Sequence, residues 1–178
     1  MKKLMVVFAL VAATAFAQSA GEVQKQLTAE AEKLRAIGRD PLIVAAVKAQ
    51  NAKKVSLDAI KTLDAQWIAG KATTLVKQTT TGPCAERLRA LVAANRTYGE
   101  TFVMDDHGAI VCATAKTSDY WQGDEAKFAQ AFRDGKGNVF IDRPKFDDSA
   151  SASIAQISVP VMETDRAIGA ITVGIVVK

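Results

Sequence analysis

Two aromatic residues in a polar loop, one arginine at a strand end and an acidic turn are the groups of this chain that could hold a small molecule. Tyr120 and Trp121 lie within Thr117-Ser118-Asp119-Tyr120-Trp121-Gln122-Gly123-Asp124-Glu125. Aromatics in such a loop can wall a ligand and lend it an O–H or N–H handle. On the residues alone, cover for a core is the stronger reading. Arg143 follows Val139-Phe140-Ile141-Asp142. A guanidinium there can grip a carboxylate through two parallel hydrogen bonds, or it can stand on the surface paired with Asp142 or Asp147. Asp147, Asp148 and Ser149 could accept a ligand ammonium group, and ordinary turn chemistry accounts for at least two of the three.

Catalytic chemistry finds little support. His107 is the single histidine and falls in the tight turn Asp106-His107-Gly108, with no serine or cysteine motif beside it. A Ser-His-Asp site would have to use it. There is no glycine-rich phosphate loop and no nucleophile elbow, and the acidic residues do not follow the calcium-loop spacing. Two cysteines and one histidine do not make a zinc site. The expectation is a protein that is not an enzyme and needs no metal or cofactor. Cys84 and Cys112 leave two readings open: one disulfide, or two separate half-buried thiols.

The chain opens as a secretion signal does. Lys2 and Lys3 precede an apolar run from Leu4 to Ala13, and Ala15-Phe16-Ala17 gives the small-x-small pattern for cleavage before Gln18. The run is shorter than the twenty or so apolar residues of a spanning helix. The expected product is a single soluble domain in the periplasm or outside the cell. Removing Lys2 and Lys3 lowers the formal net charge from +4 to about +2. Basic and acidic residues are interspersed, which argues against nucleic acid as a partner.

Periodicity supplies the elements. Val23, Leu27, Ala31, Leu34 and Ile37 recur at helical spacing, and Gly38 stops them. Asp40-Pro41 restarts a helix as cap and first-turn residue. Ser56 caps a third, striped by Leu57, Ile60, Leu63 and Trp67. Residues 71–82 read as a frayed extension or a loop, and Pro83 begins another helix. The period then drops to two. Strands are expected over 101–105, 109–115, 139–142, 153–162 and 167–177, with a short helix from Asp124 to Arg133. Helices first and hairpins after make an α+β domain with an antiparallel sheet.

Three stretches carry a family resemblance. Phe102-Val103-Met104-Asp105-Asp106-His107-Gly108-Ala109-Ile110-Val111 resembles the first hairpin of PAS-like sensors. Ser118 to Phe128 resembles a pocket-closing loop and helix. Phe146 to Val161, followed by Ala167-Ile168-Gly169-Ala170, resembles a last hairpin. Together they resemble the Cache, or PDC-type, extracytoplasmic sensor domains. The resemblance implies long N-terminal helices followed by a five-stranded antiparallel sheet with one inserted short helix. It divides the chain into a signal at 1–17, a helical region at 18–97 and the sheet at 98–178. It also implies a ligand pocket between sheet and loops, bordered by Tyr120, Trp121, Phe140, Arg143, Asp147, Asp148 and Ser149. Family members that bind amino acids place an arginine and a tryptophan before the pocket helix; here that stretch reads Asp124-Glu125-Ala126-Lys127-Phe128. The implied ligand is therefore a small organic acid or another polar metabolite. With the chain ending at its last strand, a membrane receptor or kinase is the expected reader. The alternative is a ligand-free interaction module that dimerises, or docks on a receptor, through its N-terminal helix.

Overall fold

A computed structural model describes residues 4–148 and 151–177, with side chains from residue 20 onward. Met1 to Lys3 of the expected signal, and Ser149 of the expected site, lie outside the described residues. The helices are α1 (Leu4–Ile37), α2 (Pro41–Asn51), α3 (Leu57–Ile68), α4 (Thr73–Thr80), α5 (Gly82–Ala94) and α6 (Ala126–Phe132). The strands are β1 (Tyr98–Met104), β2 (Ile110–Ala113), β3 (Phe140–Ile141), β4 (Lys145–Asp147), β5 (Ala152–Glu163) and β6 (Arg166–Val177). Among the described residues no helix is long and apolar enough to cross a membrane.

The helix boundaries follow from capping chemistry. The Asp40 carboxylate accepts from Leu42 N at 3.0 Å with Pro41 at the first position, and Ser56 Oγ accepts from Ala59 N at 3.3 Å. These bonds satisfy amides that have no partner inside the helix. Gly38 ends the stripe of α1 for a packing reason. A Cβ there would stand 2.2 Å from Pro160 O, and Gly38 O accepts from Met162 N at 2.9 Å. Within residues 71–82, Thr73–Thr80 form a separate helix, α4, rather than an extension of α3 or a loop.

The sheet is antiparallel, in the order β2-β1-β6-β5-β3, with β4 also paired to β5. β4 is the one strand not expected from the sequence. Its three residues, Lys145-Phe146-Asp147, are mostly exposed and show no apolar alternation, so only their pairing with Ile154, Ser153 and Ala152 marks them as a strand. One sheet face buries Val103, Val159, Val161, Ile171 and Val173 against Leu27, Ala31 and Leu34 of α1, Ile43 and Val47 of α2, and Ala85 and Leu88 of α5. The other carries Phe102, Met104 and Ala170 against Ile60 and Trp67 of α3, Tyr120, and Phe128 and Ala131 of α6. Cys84 of α5 and Cys112 of β2 are joined in a disulfide. It closes a loop across 28 residues, which in the chain-entropy view limits the unfolded ensemble by about 3–4 kcal/mol.

Candidate functional site

The register of the sheet builds the site. One cross-strand row on the α6 face reads Ala113, Phe102, Thr172, Ser158, Phe140. Two small hydroxyl residues therefore lie between two aromatic rings, and the middle of the row is low. Ser158 and Thr172 are fully buried and hydrogen-bonded to each other at 2.8 Å, so each hydroxyl has a partner. One step along β5, Gln156 pairs with Gly174 and its carbonyl accepts from Asp142 N at 2.8 Å. One step further, Ile154 lies opposite Val176 on one side and Lys145 on the other.

At the β3–β4 edge of this face Asp142, Arg143, Lys145, Phe146, Asp147, Ile154 and Gln156 line a cleft of about 210 Å³. Lys145 Nζ donates to Asp142 at 2.9 Å, and this bond holds the Asp142 carboxyl below its ordinary range against the opposing effect of burial. The Arg143 backbone amide donates to the same carboxylate at 2.8 Å. Among the described residues no acceptor engages the Arg143 guanidinium, so its donors are open to a ligand.

Lys127 reaches over the row from the first turn of α6. Its side chain is 12% exposed, its ammonium meets Glu125 at 2.9 Å, and it lies 5.4 Å from the centre of the Phe102 ring. A cation on an aromatic face, bonded to a carboxylate, is held by both. Its charge also acts on Asp142 and Glu100. Glu100 keeps an edge in solvent but is crowded by protein, which pushes its carboxyl up; Lys127 opposes that rise and Asp147 adds to it.

Of the residues singled out from the sequence, Arg143 and Asp147 therefore share one cleft. Phe140 closes the row next to them on the same face, and Asp148 is exposed in the turn beyond. Tyr120 and Trp121 stand elsewhere. Tyr120 O accepts from Ile110 N, and Trp121 pairs with Ala109, so both run alongside the β2 hairpin. From β2 to β3 there are four strand spacings, roughly 19 Å. Tyr120 is buried against Trp67, with ring centres 5.6 Å apart. Burial, and after it the Asp105 charge, pushes its phenol up to about 12. Trp121 donates its indole N–H to His107 O at 2.9 Å and takes the Lys61 ammonium on its ring at 4.7 Å. Asp64 Oδ1 accepts both the Tyr120 and Trp121 amides, at 2.8 and 3.0 Å. His107 is exposed in its turn.

The sequence reading passed over Lys127, Gln156, Ser158 and Thr172. The two hydroxyl residues did leave a signal. Each is a polar residue at the centre of a strand otherwise rich in Ile and Val, and the two meet only once the register is known. Lys127 left none, because one lysine in a short helix looks like any solvated lysine.

No family model matches the sequence, and no curated protein matches it. Solved structures do. The extracellular domain of the candidate histidine kinase vpHK1S-Z8 superposes with a TM-score of 0.55 at 10% identity, over 99% of this chain and 62% of that one. The sensor domain of the histidine kinase DctB of V. cholerae gives 0.44 at 11% identity, over 93% and 56%. The ligand-binding domain of the Pseudomonas aeruginosa amino acid chemoreceptor PctC, in complex with GABA, gives 0.43 at 14% identity, over 83% and 61%. This chain thus spans about six tenths of the length of the sensor domains it matches. Its α+β fold is the one seen in the extracellular domain of vpHK1S-Z8.

Proposed function

We propose that the protein is an extracytoplasmic small-molecule-binding domain of the sensor type, acting by binding rather than by catalysis. Its ligand is a small carboxylate-bearing metabolite taken at the β3–β4 edge. The observation that carries this reading is Arg143, a guanidinium with open donors in a cleft beside a row of small residues. Guanidinium and carboxylate match as two parallel hydrogen bonds. Gln156 offers an amide to a second polar group, and Asp142 is already neutralised by Lys145. A volume of about 210 Å³ is below the roughly 300–1,000 Å³ of drug-sized sites, so the ligand is compact.

In this reading a bound carboxylate draws Lys127, and with it α6, toward the β3–β4 edge. That changes the balance between conformers only as far as the ligand binds one of them more tightly. A membrane receptor or kinase is the class of partner that would read the result. Docking or dimerisation through α1 has less to stand on, because Leu27, Ala31 and Leu34 are buried on the chain's own sheet.

A thermal-shift screen of mono- and dicarboxylates, amino acids and neutral sugars tests the reading. A ligand present at a hundred times its Kd adds about 2.7 kcal/mol of stability, a shift easily measured. At least one carboxylate is expected to give it. A screen in which sugars stabilise and no carboxylate does would sink the ligand class; a screen with no response in any class would sink the binding function.

A further inference from the structure

A second cleft, of about 270 Å³, lies at the far end of β5, and three of its six lining residues are cations: Arg35, Arg39 and Lys136, with Gly137, Pro160 and Met162 between them. The elements that meet there explain the gathering. β3 pairs with β5 only at Ile157 and Ser158, so β5 continues beyond it to Pro160 and Met162 with no described strand on that side. The end of α1 closes in from one side, where Gly38 meets Pro160 and Met162. The turn after α6 closes in from the other, where Gly137 comes against the Pro160 ring and the Met162 sulfur. Each side brings its cations to the rim.

No carboxylate lines this cleft. Glu32 accepts from Arg35 at 3.2 Å, but as an exposed pair three residues apart on a helix, an arrangement that contributes little. Glu163 is engaged by Lys48. Arg39 gives one N–H to Thr164 O at 3.0 Å and keeps the rest of its five donors. Among the described residues the Lys136 ammonium has no partner. Three converging cations gain one counter-charge from a carboxylate and two from a tetrahedral dianion. A tetrahedral dianion also offers enough acceptor oxygens for two guanidinium forks and an ammonium.

We infer that the Arg35–Arg39–Lys136 cleft is an anion site that takes a phosphate group, either of a free phosphate compound or of a lipid headgroup. It is separate from the Arg143 cleft and does not depend on it. The test uses the full chain, ¹⁵N-labelled, titrated with inorganic phosphate against sodium chloride at matched ionic strength. Saturable shifts are expected at the Arg39 and Gly137 amides, unchanged in Arg143→Ala. The double variant Arg39→Gln/Lys136→Gln should weaken binding about tenfold or more, as the loss of charged hydrogen bonds implies. Both side chains are exposed, so the variant should fold, which its amide spectrum reports directly. In a parallel arm the chain is sedimented with phosphatidylcholine vesicles with or without phosphatidic acid, whose phosphomonoester can carry the second charge. Binding only to the vesicles that contain phosphatidic acid, abolished by the double variant, assigns the phosphate to a lipid; a response to inorganic phosphate assigns it to a soluble compound. A double variant that responds as the wild type does, or a wild type that responds to neither probe, overturns the proposal.

Discussion

The two edges of the sheet differ in how completely their polar groups are satisfied. At the β2 edge most conspicuous groups have an internal partner, the buried Gln122 Oε1 being the exception. Asp64 takes two loop amides, Trp67 donates to Thr117 O at 2.8 Å, Trp121 donates to His107 O, and Asp105 Oδ1 takes the His107 and Ala109 amides at 2.9 Å each. Glycines let the layers touch. A Cβ on Gly108 would stand 2.5 Å from Gly123 Cα, and Gly108 has φ +83°, a region that favours glycine. At the β3–β4 edge the strands are two and three residues long and Arg143 keeps open donors. The comparison shows an aromatic loop tied into the fold by its own bonds, and it is the reason the proposed site is placed at the thin, charged edge. Four perturbations of the closed edge sharpen or break this contrast.

Trp67→Ala should have the largest effect. It empties a fully buried site, removes the bond to Thr117 and takes away the ring against Tyr120. A loss of about 3–5 kcal/mol is expected in chemical denaturation. A loss below 1 kcal/mol would mean the β2 edge is not the packed region described. Next is the Cys84–Cys112 bond. Replacing both cysteines with alanine should cost about 3–4 kcal/mol through the unfolded state, visible as a lower denaturation midpoint. Third, Asp64→Ala strands two loop amides and should cost about 1–3 kcal/mol. Ligand affinity should not change, and a parallel fall in affinity would place the loop in the site after all.

The smallest effect has the opposite sign. Burial pushes the Asp105 carboxyl up, although the Ala109 and His107 amides oppose it. The folded state therefore holds this proton to a higher pH than the unfolded chain. The contribution of Asp105 to stability is greatest in acid and is lost as pH rises through the folded value. Asp105→Asn keeps an oxygen for both amides and has no charge to bury. It should stabilise the protein at neutral pH and make no difference below about pH 3.9, where the unfolded carboxyl is also protonated. Denaturation midpoints at the two pH values check this, and an equal change at both would contradict it.

Much of the fold was legible in the sequence because its signals are local. Asp40-Pro41, Ser56 and the Asp105–Gly108 turn each act within a few residues, and the period-two runs of β5 and β6 mark their buried faces. β4 was not legible, since Lys145-Phe146-Asp147 becomes a strand only through β5. The grouping at the candidate site was half legible for the same reason. Arg143, Phe140 and Asp147 follow one another along the chain and arrive together. Tyr120 and Trp121 look like ligand contacts because they are aromatics in a polar loop, and nothing local tells that Asp64 and Trp67, more than fifty residues earlier, have already engaged that loop. Lys127, Ser158 and Thr172 meet through register, a property no single segment carries.

The measurement that bears most directly on the account is calorimetry with whichever carboxylate stabilises the wild type, repeated on Arg143→Ala and Trp121→Ala. Loss of a ligand-paired guanidinium should weaken binding by about 2–5 kcal/mol, whereas Trp121→Ala, on the opposite edge, should leave affinity unchanged. Tight binding by Arg143→Ala together with loss of binding in Trp121→Ala would contradict the account and return the site to the aromatic loop.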